Sequence, residues 1–241
     1  MSENNKKAGL IVGAGGAIGL QLVAQAQQRG IGQIYATHRS PVTSVSPDTH
    51  WLHLDYNSVE LLDAATTYLL MEVHSLDFLV VATGLLHAEG IKPEKRLSNW
   101  SEDVFAQVMW INAGAPLTLF SRLQPILKRS NQPKVIFLSA QIGSIEDNRS
   151  GGWYSYRMSK AALNMGVRTA AIEAERWQNQ ASVVAVHPGT TRSSLSKPYT
   201  SRRQNLLTPV QTATDLYNLL DTIGPANSGQ LMTRLGEPLP F

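Results

Sequence analysis

A glycine cluster near the start of the chain constrains its fold more than any other stretch. The cluster, Gly13-Ala14-Gly15-Gly16-Ala17-Ile18-Gly19, follows a short apolar run at residues 8–12. After it, Leu22 and Ala26 continue a helical spacing, and a second apolar run begins at Gln33. A strand, a glycine turn, a helix and another strand form a unit whose strands run parallel. Such a unit has a right-handed crossover.

The same alternation continues to the end of the chain. Apolar runs predict further strands at residues 51–54, 76–82, 135–138, 182–186 and 229–232. Helices are predicted between them, at residues 59–73, 100–128, 154–178 and 209–223. The pattern predicts an α/β fold, a single doubly wound (Rossmann-type) domain over residues 1–241 with about seven mostly parallel strands and helices on both faces. Residues 1–7 are expected to be a flexible terminus.

Composition narrows the function classes. The chain has 241 residues, of which 43% are hydrophobic and 16% charged, enough apolar material for one sizeable core. Its net charge of +3 comes without a dense Lys/Arg run, so we expect neither nucleic acid nor a membrane as a partner. The absence of cysteine excludes disulfides and thiolate chemistry and is consistent with a cytoplasmic location. We predict no metal site.

Several residues with ligand-binding potential directly follow predicted strands. They are the glycine cluster, Arg39, Asp55, Thr83 with Gly84, Ser139, and Pro188 with Gly189. Because the carboxyl ends of parallel strands meet at one edge of the sheet, and ligands of such sheets bind outside that edge, these residues are expected to converge. Their shared placement is stronger evidence for a binding site than any one of them.

The glycine cluster predicts a dinucleotide site, because glycines let the backbone approach a pyrophosphate and the helix N-terminus offers free N–H groups. Arg39 is expected near the adenosine ribose, where a basic residue without an acid beside it favours the 2′-phosphate of NADP. A solvated loop arginine is the alternative. Asp55 is placed either to accept a hydrogen bond from an adenine amino group or to cap the helix at Val59.

Tyr156 and Lys160 are candidates for proton transfer. Four residues apart, they lie on one face of a helix, about one turn from each other. A nearby ammonium favours the phenolate and is expected to lower the pKa of the tyrosine. The alternative is a partly buried tyrosine beside a solvated lysine. Tyr154 lies six residues from Lys160, on another side of the helix, and is excluded as the main acid.

Asn112 lies in a predicted helix, four residues before Pro116. Because proline has no N–H, the Asn112 carbonyl loses its helical partner. A freed carbonyl beside an active site could hold a water molecule. The alternative is a simple proline kink with a polar residue at the bend.

Together these residues resemble the short-chain dehydrogenase/reductase family over nearly the whole chain. The spacing Gly13-x-x-x-Ala17-x-Gly19 is similar to that family's cofactor turn, with alanine in place of its middle glycine. Tyr156-x-x-x-Lys160 matches its catalytic pair. The stretch Gly151-Gly152-Trp153-Tyr154-x-Tyr156-Arg157-x-Ser159-Lys160 resembles the C-factor-like and carbonyl-reductase-like members.

The resemblance implies hydride transfer between NADP(H), with NAD(H) as the second choice, and a small carbonyl or alcohol substrate. Tyr156 would be the general acid or base, and Lys160 would lower its pKa and bind the nicotinamide ribose. The Asn112 carbonyl would anchor a water in a proton relay, and a serine would hydrogen-bond the substrate oxygen. Cofactor contacts are implied for Gly13, Gly15, Gly16, Ala17, Ile18, Gly19, Arg39, Asp55, Thr83, Gly84, Tyr156, Lys160, Pro188, Gly189 and Thr190.

The resemblance also implies an assembly and a mobile element. The predicted helix after Tyr154 is apolar on several sides, and family members often pair through this helix and the preceding one. We therefore expect a homodimer or homotetramer. The loop at residues 190–207, which shows no clear period, is expected to cover the substrate.

Departures from the family pattern leave alternatives open. Ala140 stands where the catalytic serine is expected, so Ser139, Ser144 or no serine takes that role. Val81-Ala82-Thr83-Gly84 replaces an asparagine-containing turn. Arg192 either favours an anionic substrate or is a solvated loop residue. Ala140 and the missing asparagines motivate a rival function, that of a non-catalytic or weakly catalytic NADP-binding protein in signalling or redox sensing.

Overall fold

The structure, a computed structural model, describes residues 7–41, 47–201 and 204–241. Of the predicted flexible terminus, residues 1–6 lie outside the described residues. Residues 202–203 of the predicted loop at 190–207 also lie outside them.

Seven strands form one parallel sheet. They are β1 (Ala8–Val12), β2 (Gln33–His38), β3 (Thr49–His53), β4 (Phe78–Val81), β5 (Lys134–Leu138), β6 (Ser182–His187) and β7 (Leu231–Thr233). Their order is β3-β2-β1-β4-β5-β6-β7, and every neighbouring pair is parallel. The strand order therefore reverses between β1 and β4, which confirms the predicted doubly wound sheet.

Six α-helices cover the two faces of the sheet among the described residues. They are α1 (Ala17–Gln28), α2 (Val59–Glu72), α3 (Glu102–Met109), α4 (Ala115–Leu127), α5 (Tyr154–Ala174) and α6 (Pro209–Thr222). Buried side chains of α2, α4 and α5 belong to the core on one face, and those of α1 and α6 to the core on the other.

Each strand feeds both cores, because successive side chains of a strand point to opposite faces. In β1, Leu10 and Val12 face the core that contains α4 and α5, whereas Ile11 faces the core that contains α1 and α6. All three are fully buried, and burying a side chain of this kind contributes about 1.5–3 kcal/mol. Gly9 of the same strand leaves room for the ring of Phe78, because a Cβ at Gly9 would lie 1.9 Å from that ring.

The predicted helix at residues 100–128 is interrupted by a wider turn. A π-helical turn, Trp110–Gly114, separates α3 from α4. There the Ala115 N–H donates to the Trp110 carbonyl, five residues back. The next residue, Pro116, has no N–H to donate, so the turn widens where the hydrogen-bond ladder is broken.

One helical stretch among the described residues, Glu102–Leu127, is long and apolar enough to cross a membrane, judged by length and composition alone. It joins α3, the π-helical turn and α4. In its α4 half, Leu119, Leu123 and Ile126 are fully buried in the core beside the sheet. A core helix of an α/β domain has this same composition.

Candidate active site

A cavity of about 600 Å³, the first cavity, lies at the carboxyl edge of the sheet. Residues that follow β1 to β5 line it, together with Tyr156 and Lys160 of α5. Every residue predicted to contact a cofactor lines the first cavity except Gly189 and Thr190. Those two line a neighbouring second cavity of about 400 Å³, and Tyr156 borders both cavities.

The glycine turn has a geometry that only small residues allow. Gly13 has φ +82°, and a Cβ at Gly19 would lie 2.3 Å from the Gly13 carbonyl oxygen. A Cβ at Gly16 would lie 3.3 Å from the same oxygen, which is a tight contact rather than a collision. The helix that follows, α1, begins with no side-chain cap and no acidic residue in its first turn. Its N-terminal partial charge is therefore left for an anionic ligand group such as a pyrophosphate.

The ends of β2 and β3 bring Arg39 and Asp55 to the wall of the first cavity. The Arg39 side chain is exposed, which is compatible with both of its predicted roles. Asp55 Oδ1 accepts hydrogen bonds from the backbone and side-chain N–H groups of Asn57, at 2.9 and 3.2 Å. The α2 helix is capped by Ser58, whose Oγ accepts from the Leu61 N–H at 3.2 Å. The helix-cap alternative for Asp55 is therefore wrong.

Two buried side-chain oxygens of residues on the first cavity wall, Thr83 Oγ1 and the Tyr56 hydroxyl, have no hydrogen-bond partner among the described residues. Buried polar groups normally have a partner, so these two neighbouring oxygens are available to a polar ligand in the cavity. Burial raises the pKa of the Tyr56 hydroxyl well above its ordinary value, only partly offset by the nearby Thr83 hydroxyl. The hydroxyl therefore stays neutral and can donate. These groups and the glycine turn fit a bound dinucleotide.

Tyr156 and Lys160 lie in the first two turns of α5, where the Lys160 side chain is buried. Its Nζ lies 5.9 Å from the centre of the Tyr156 ring and donates a hydrogen bond to the Leu138 carbonyl at 2.8 Å. Burial raises the pKa of Tyr156 to about 12 and lowers the pKa of Lys160 to about 8. The expected lowering of the tyrosine pKa is wrong for this structure, because burial disfavours the charged phenolate and raises the pKa. The solvated-lysine alternative is wrong as well.

Asn112 is fully buried and joins the turn after β4 to α5. Its Oδ1 accepts from the Leu85 N–H at 2.7 Å, and its Nδ2 donates to the Leu85 carbonyl at 2.8 Å and to Ser159 Oγ at 3.0 Å. Ser159 Oγ donates in turn to the Tyr156 carbonyl at 2.8 Å. The Asn112 backbone carbonyl lies in the π-helical turn, and Pro116 has no N–H with which to donate a hydrogen bond to it. The side chain thus supports the helix that carries Tyr156, a contact that the sequence did not indicate.

Ser139 and Ser144 differ in their position relative to the cavities. Ser139 lines both cavities, and its Oγ donates to Asn164 Oδ1 at 2.6 Å. Asn164 Nδ2 is buried without a partner among the described residues, so rotation of the amide would let it donate to Ser139 and release the serine proton. Ser144 lines neither cavity, and its Oγ accepts from the Asp147 N–H at 3.1 Å. Ala140 lines only the second cavity.

The second cavity contains aromatic residues that sequence reasoning missed. Trp153 packs edge-on against Tyr156, with 6.1 Å between ring centres, and against Tyr199, with 4.9 Å. Tyr199 belongs to the segment at 190–207, so part of that segment borders the cavity. Neither aromatic follows a strand or fits a period that would mark it in the sequence. Arg192 is exposed and lines neither cavity, as its solvated alternative expects.

Comparisons with known proteins agree on a family. A family model described as short chain dehydrogenase matches residues 7–204. C-signal of Myxococcus xanthus is 29% identical over 136 residues, covering 56% of this chain and 78% of that protein. Two solved structures have a TM-score of 0.85. The carbonyl reductase Sniffer of D. melanogaster is 19% identical, and the match covers 98% of this chain and 100% of that one. The NADPH-bound carbonyl reductase from chicken fatty liver is 22% identical, and the match covers 98% of this chain and 99% of that one. These identities show a shared fold.

Proposed function

This chain belongs to the short chain dehydrogenase family, and we propose that it is an NADP-dependent oxidoreductase that interconverts a carbonyl compound and an alcohol. The observation that carries the proposal is the position of Tyr156, which borders both cavities and has Lys160 beside it. A cofactor in the first cavity and a substrate in the second would meet at this tyrosine. The reacting groups would then be held together by the protein rather than by chance encounter.

The first cavity supports a nicotinamide dinucleotide as the cofactor. The turn at residues 13–19 and the uncapped start of α1 would hold the pyrophosphate, and Lys160 would hold the nicotinamide ribose. Arg39, with no acidic residue beside it, favours the 2′-phosphate of NADP over NAD. The fold shared with a reductase solved with NADPH agrees with this choice. When bound, the reduced cofactor supplies the hydride.

Tyr156 would supply the proton during reduction. Because burial raises its pKa to about 12, the phenol keeps its proton at neutral pH and can donate a hydrogen bond to the substrate carbonyl oxygen. As the carbonyl carbon accepts the hydride, its oxygen gains negative charge and takes the phenol proton. Lys160, whose pKa of about 8 leaves it mainly protonated at neutral pH, would stabilise the tyrosinate that remains. In oxidation, the tyrosinate takes the proton from the alcohol.

The test is NADPH oxidation against a panel of aldehydes, ketones and quinones. Replacing the phenol in Tyr156→Phe should lower turnover by about 10²–10⁴-fold while NADPH affinity stays within about twofold. Tyr154→Phe is the matched control, because Tyr154 starts the same helix but lines neither cavity. Equal rates for wild type and Tyr156→Phe would remove the catalytic role.

A second candidate is an NADP-binding sensor with little or no turnover. It is favoured by Ala140 at the expected serine position and by Ser139, whose proton is engaged by Asn164. The same panel separates the two functions, because a sensor would bind NADPH at micromolar concentration without oxidising it. The intact pair of Tyr156 and Lys160 favours the enzyme, since cofactor sensing alone needs no general acid.

We also propose a cytoplasmic location and assembly into a homodimer or a homotetramer, and the α5 surface supports the assembly. Met158, Met165 and Ile172 recur every seven residues on α5 and are 45%, 68% and 42% exposed. Apolar side chains at this spacing form a stripe along one side of a helix, which a second copy of α5 would cover. Met165→Glu should therefore lower the mass measured by light scattering, to that of one chain if the wild type is a dimer. A single-chain mass for the wild type would contradict the proposal.

A further inference from the structure

Glu94 is a buried carboxylate in the loop between β4 and α3. Only 3% of the residue is exposed. Its Oε2 accepts a hydrogen bond from the Ser155 N–H at 3.2 Å, and its Oε1 accepts one from Ser155 Oγ. Its backbone carbonyl accepts from the Trp153 N–H. A buried charge must be hydrogen-bonded to be tolerated, and all these partners of Glu94 lie at the start of α5.

The start of α5 has an uncommon backbone conformation. Gly151, Gly152 and Trp153 are three consecutive residues with positive φ, at 61°, 66° and 54°. Glycine takes this conformation readily, but a residue with a large side chain rarely does unless its surroundings impose it. Trp153 is held by the Glu94 carbonyl, and Gly152 lies against the same loop, where a Cβ would be 3.5 Å from the carbonyl oxygens of Glu94 and Lys95.

The helix itself offers no acceptor in place of Glu94, although Arg157 donates to the carbonyls of Gly152 and Gly151 at 2.9 and 3.1 Å. Trp153 is the N-cap of α5 and makes no side-chain cap, and the first turn of the helix contains no acidic residue. Helix N-termini favour a negative charge and need acceptors for their first N–H groups. The Glu94 carboxylate, from another part of the chain, supplies both the negative charge and the hydrogen-bond acceptor. The residue that directly follows its partner Ser155 is Tyr156.

This arrangement also orients the Trp153 ring. The ring contacts Tyr156 and Tyr199 edge-on, at interplanar angles of 78° and 65°, and all three aromatics line the second cavity. A change in the backbone at Trp153 would therefore move one wall of the cavity. It would also move the first turn of α5, from which the Tyr156 hydroxyl must reach a substrate.

We infer that Glu94 is a positioning residue for the reaction. Its buried carboxylate and its backbone carbonyl fix the left-handed start of α5. They thereby hold Trp153 in the wall of the substrate cavity and hold Tyr156 where it can act as the acid. The inference rests on the proposed function, because it assigns a substrate to the second cavity. Glu94 touches neither substrate nor cofactor in this role, since it lines neither cavity.

The kinetic test compares Glu94→Ala with Glu94→Gln. Glutamine can keep both side-chain hydrogen bonds, because its oxygen accepts from the Ser155 N–H and its NH₂ donates to Ser155 Oγ. We expect Glu94→Ala to lower kcat and raise KM, with a combined loss of roughly 10²-fold in kcat/KM, and Glu94→Gln to recover most of it. The NADPH dissociation constant should stay within about twofold in both variants, because the first cavity is framed by other segments. Glu89→Ala, an exposed acid of the same loop, is the matched control.

A second background tests whether the effect passes through Trp153. In Trp153→Gly the backbone can stay left-handed without a side chain to oppose it. Adding Glu94→Ala to Trp153→Gly should therefore raise KM much less than Glu94→Ala does alone. Equal effects in both backgrounds, or a parallel loss of NADPH affinity and turnover, would overturn the inference, because Glu94 would then act on the fold as a whole.

Hydrogen–deuterium exchange gives a readout that does not need turnover. Glu94→Ala should speed amide exchange at residues 153–158 and leave residues 13–28 unchanged. Absence of turnover in the wild type would remove the proposed function, and the exchange result would still decide the structural part of the inference. If Glu94→Ala does not fold, the same comparison is made with Glu94→Asp, which shortens the side chain. Unchanged exchange and unchanged kcat/KM in a folded variant would overturn the inference.

Discussion

The two cavities are built differently although Tyr156 borders both. The first is framed mainly by residues that directly follow strands, and it includes a turn of glycines. The second also contains residues that follow β5 and β6, such as Ser139 and Gly189, but it adds side chains from separate loops, among them Trp153 and Tyr199. The sheet fixes the backbone at strand ends, whereas a loop depends on contacts between distant residues. A cofactor site of this kind is tied to the fold, while the substrate site can change with its loops.

Lys160→Met should give the largest effect, because Lys160 is expected to serve the cofactor and the acid at once. Turnover should fall by about 10²–10⁴-fold, since the tyrosinate loses its neighbouring charge. Stability should change in the opposite direction. Burial lowers the pKa of Lys160 from 10.5 to about 8, and a difference of that size corresponds to roughly 3 kcal/mol of unfavourable burial of the charge. The free energy of unfolding should therefore rise by up to that amount at pH 7.

The sign of this effect can be checked with pH. A lysine whose pKa is lowered by folding opposes folding fully below pH 8, and the opposition fades as the pH rises from about 8 towards 10.5. Urea unfolding should thus show a wide gap between wild type and Lys160→Met at pH 7 and a narrower gap at pH 10. A constant gap would mean that the lysine charge is not what the variant relieves.

Gly19→Ala tests whether the first cavity depends on its backbone. Its Cβ would lie 2.3 Å from the Gly13 carbonyl oxygen, so the turn must open, at an expected cost of about 1–3 kcal/mol in NADPH binding or in stability. Gly16→Ala is the matched control, because its nearest contact would be 3.3 Å. Calorimetric titration with NADPH should rank wild type, Gly16→Ala and Gly19→Ala in that order. The reverse order for the two variants would show that side chains, not the backbone turn, shape the site.

Arg39→Ala should separate the two nicotinamide cofactors. Loss of a charge-assisted contact to the 2′-phosphate is expected to weaken NADPH binding by roughly tenfold or more and to leave NADH binding nearly unchanged. Arg192→Ala removes an equal charge outside both cavities and should alter neither. An equal loss of both cofactors in Arg39→Ala would contradict the NADP preference.

Ser139→Ala should have the smallest effect of these substitutions. Ser139 lies between the two cavities and lines both. Its hydroxyl must share its proton between Asn164 and a substrate, so we expect a loss in kcat of roughly tenfold, the equivalent of one modest hydrogen bond. Ser144→Ala should leave kcat unchanged, since Ser144 lines neither cavity. Unchanged rates in both variants would mean that no serine holds the substrate oxygen.

The sequence was sufficient for the elements whose signals are local. The apolar run of β1, the glycine turn after it and the four-residue spacing of Tyr156 and Lys160 each predict a conformation from neighbouring residues alone. The strand-end rule then brought Arg39, Asp55 and Thr83 to one cavity, as the structure does. This is why most of the first cavity could be predicted.

Predictions that depended on distant contacts were less successful. The pKa of Tyr156 was expected to fall, but burial by other segments raises it. Asp55 was a candidate for the N-cap of α2, but Ser58 caps that helix. The left-handed Trp153 donates its N–H to the carbonyl of Glu94, nearly sixty residues earlier, and no pattern around Trp153 indicates that contact. Pro116 correctly indicated a disturbed helix, but not that the disturbance would be a π-helical turn.

The central place of β1 has a consequence for synthesis of the chain. β1 leaves the ribosome before the other six strands of the sheet, yet it pairs on one side with β4, where Gly9 lies opposite Phe78. At roughly 5–20 residues per second, β4 follows roughly 3–14 s later, and until then one edge of an entirely apolar strand has no partner. Arrested nascent chains that end before β4 should therefore bind chaperones more strongly than chains that include it. The cofactor turn, which packs against Thr83, can reach its final shape only after that interval.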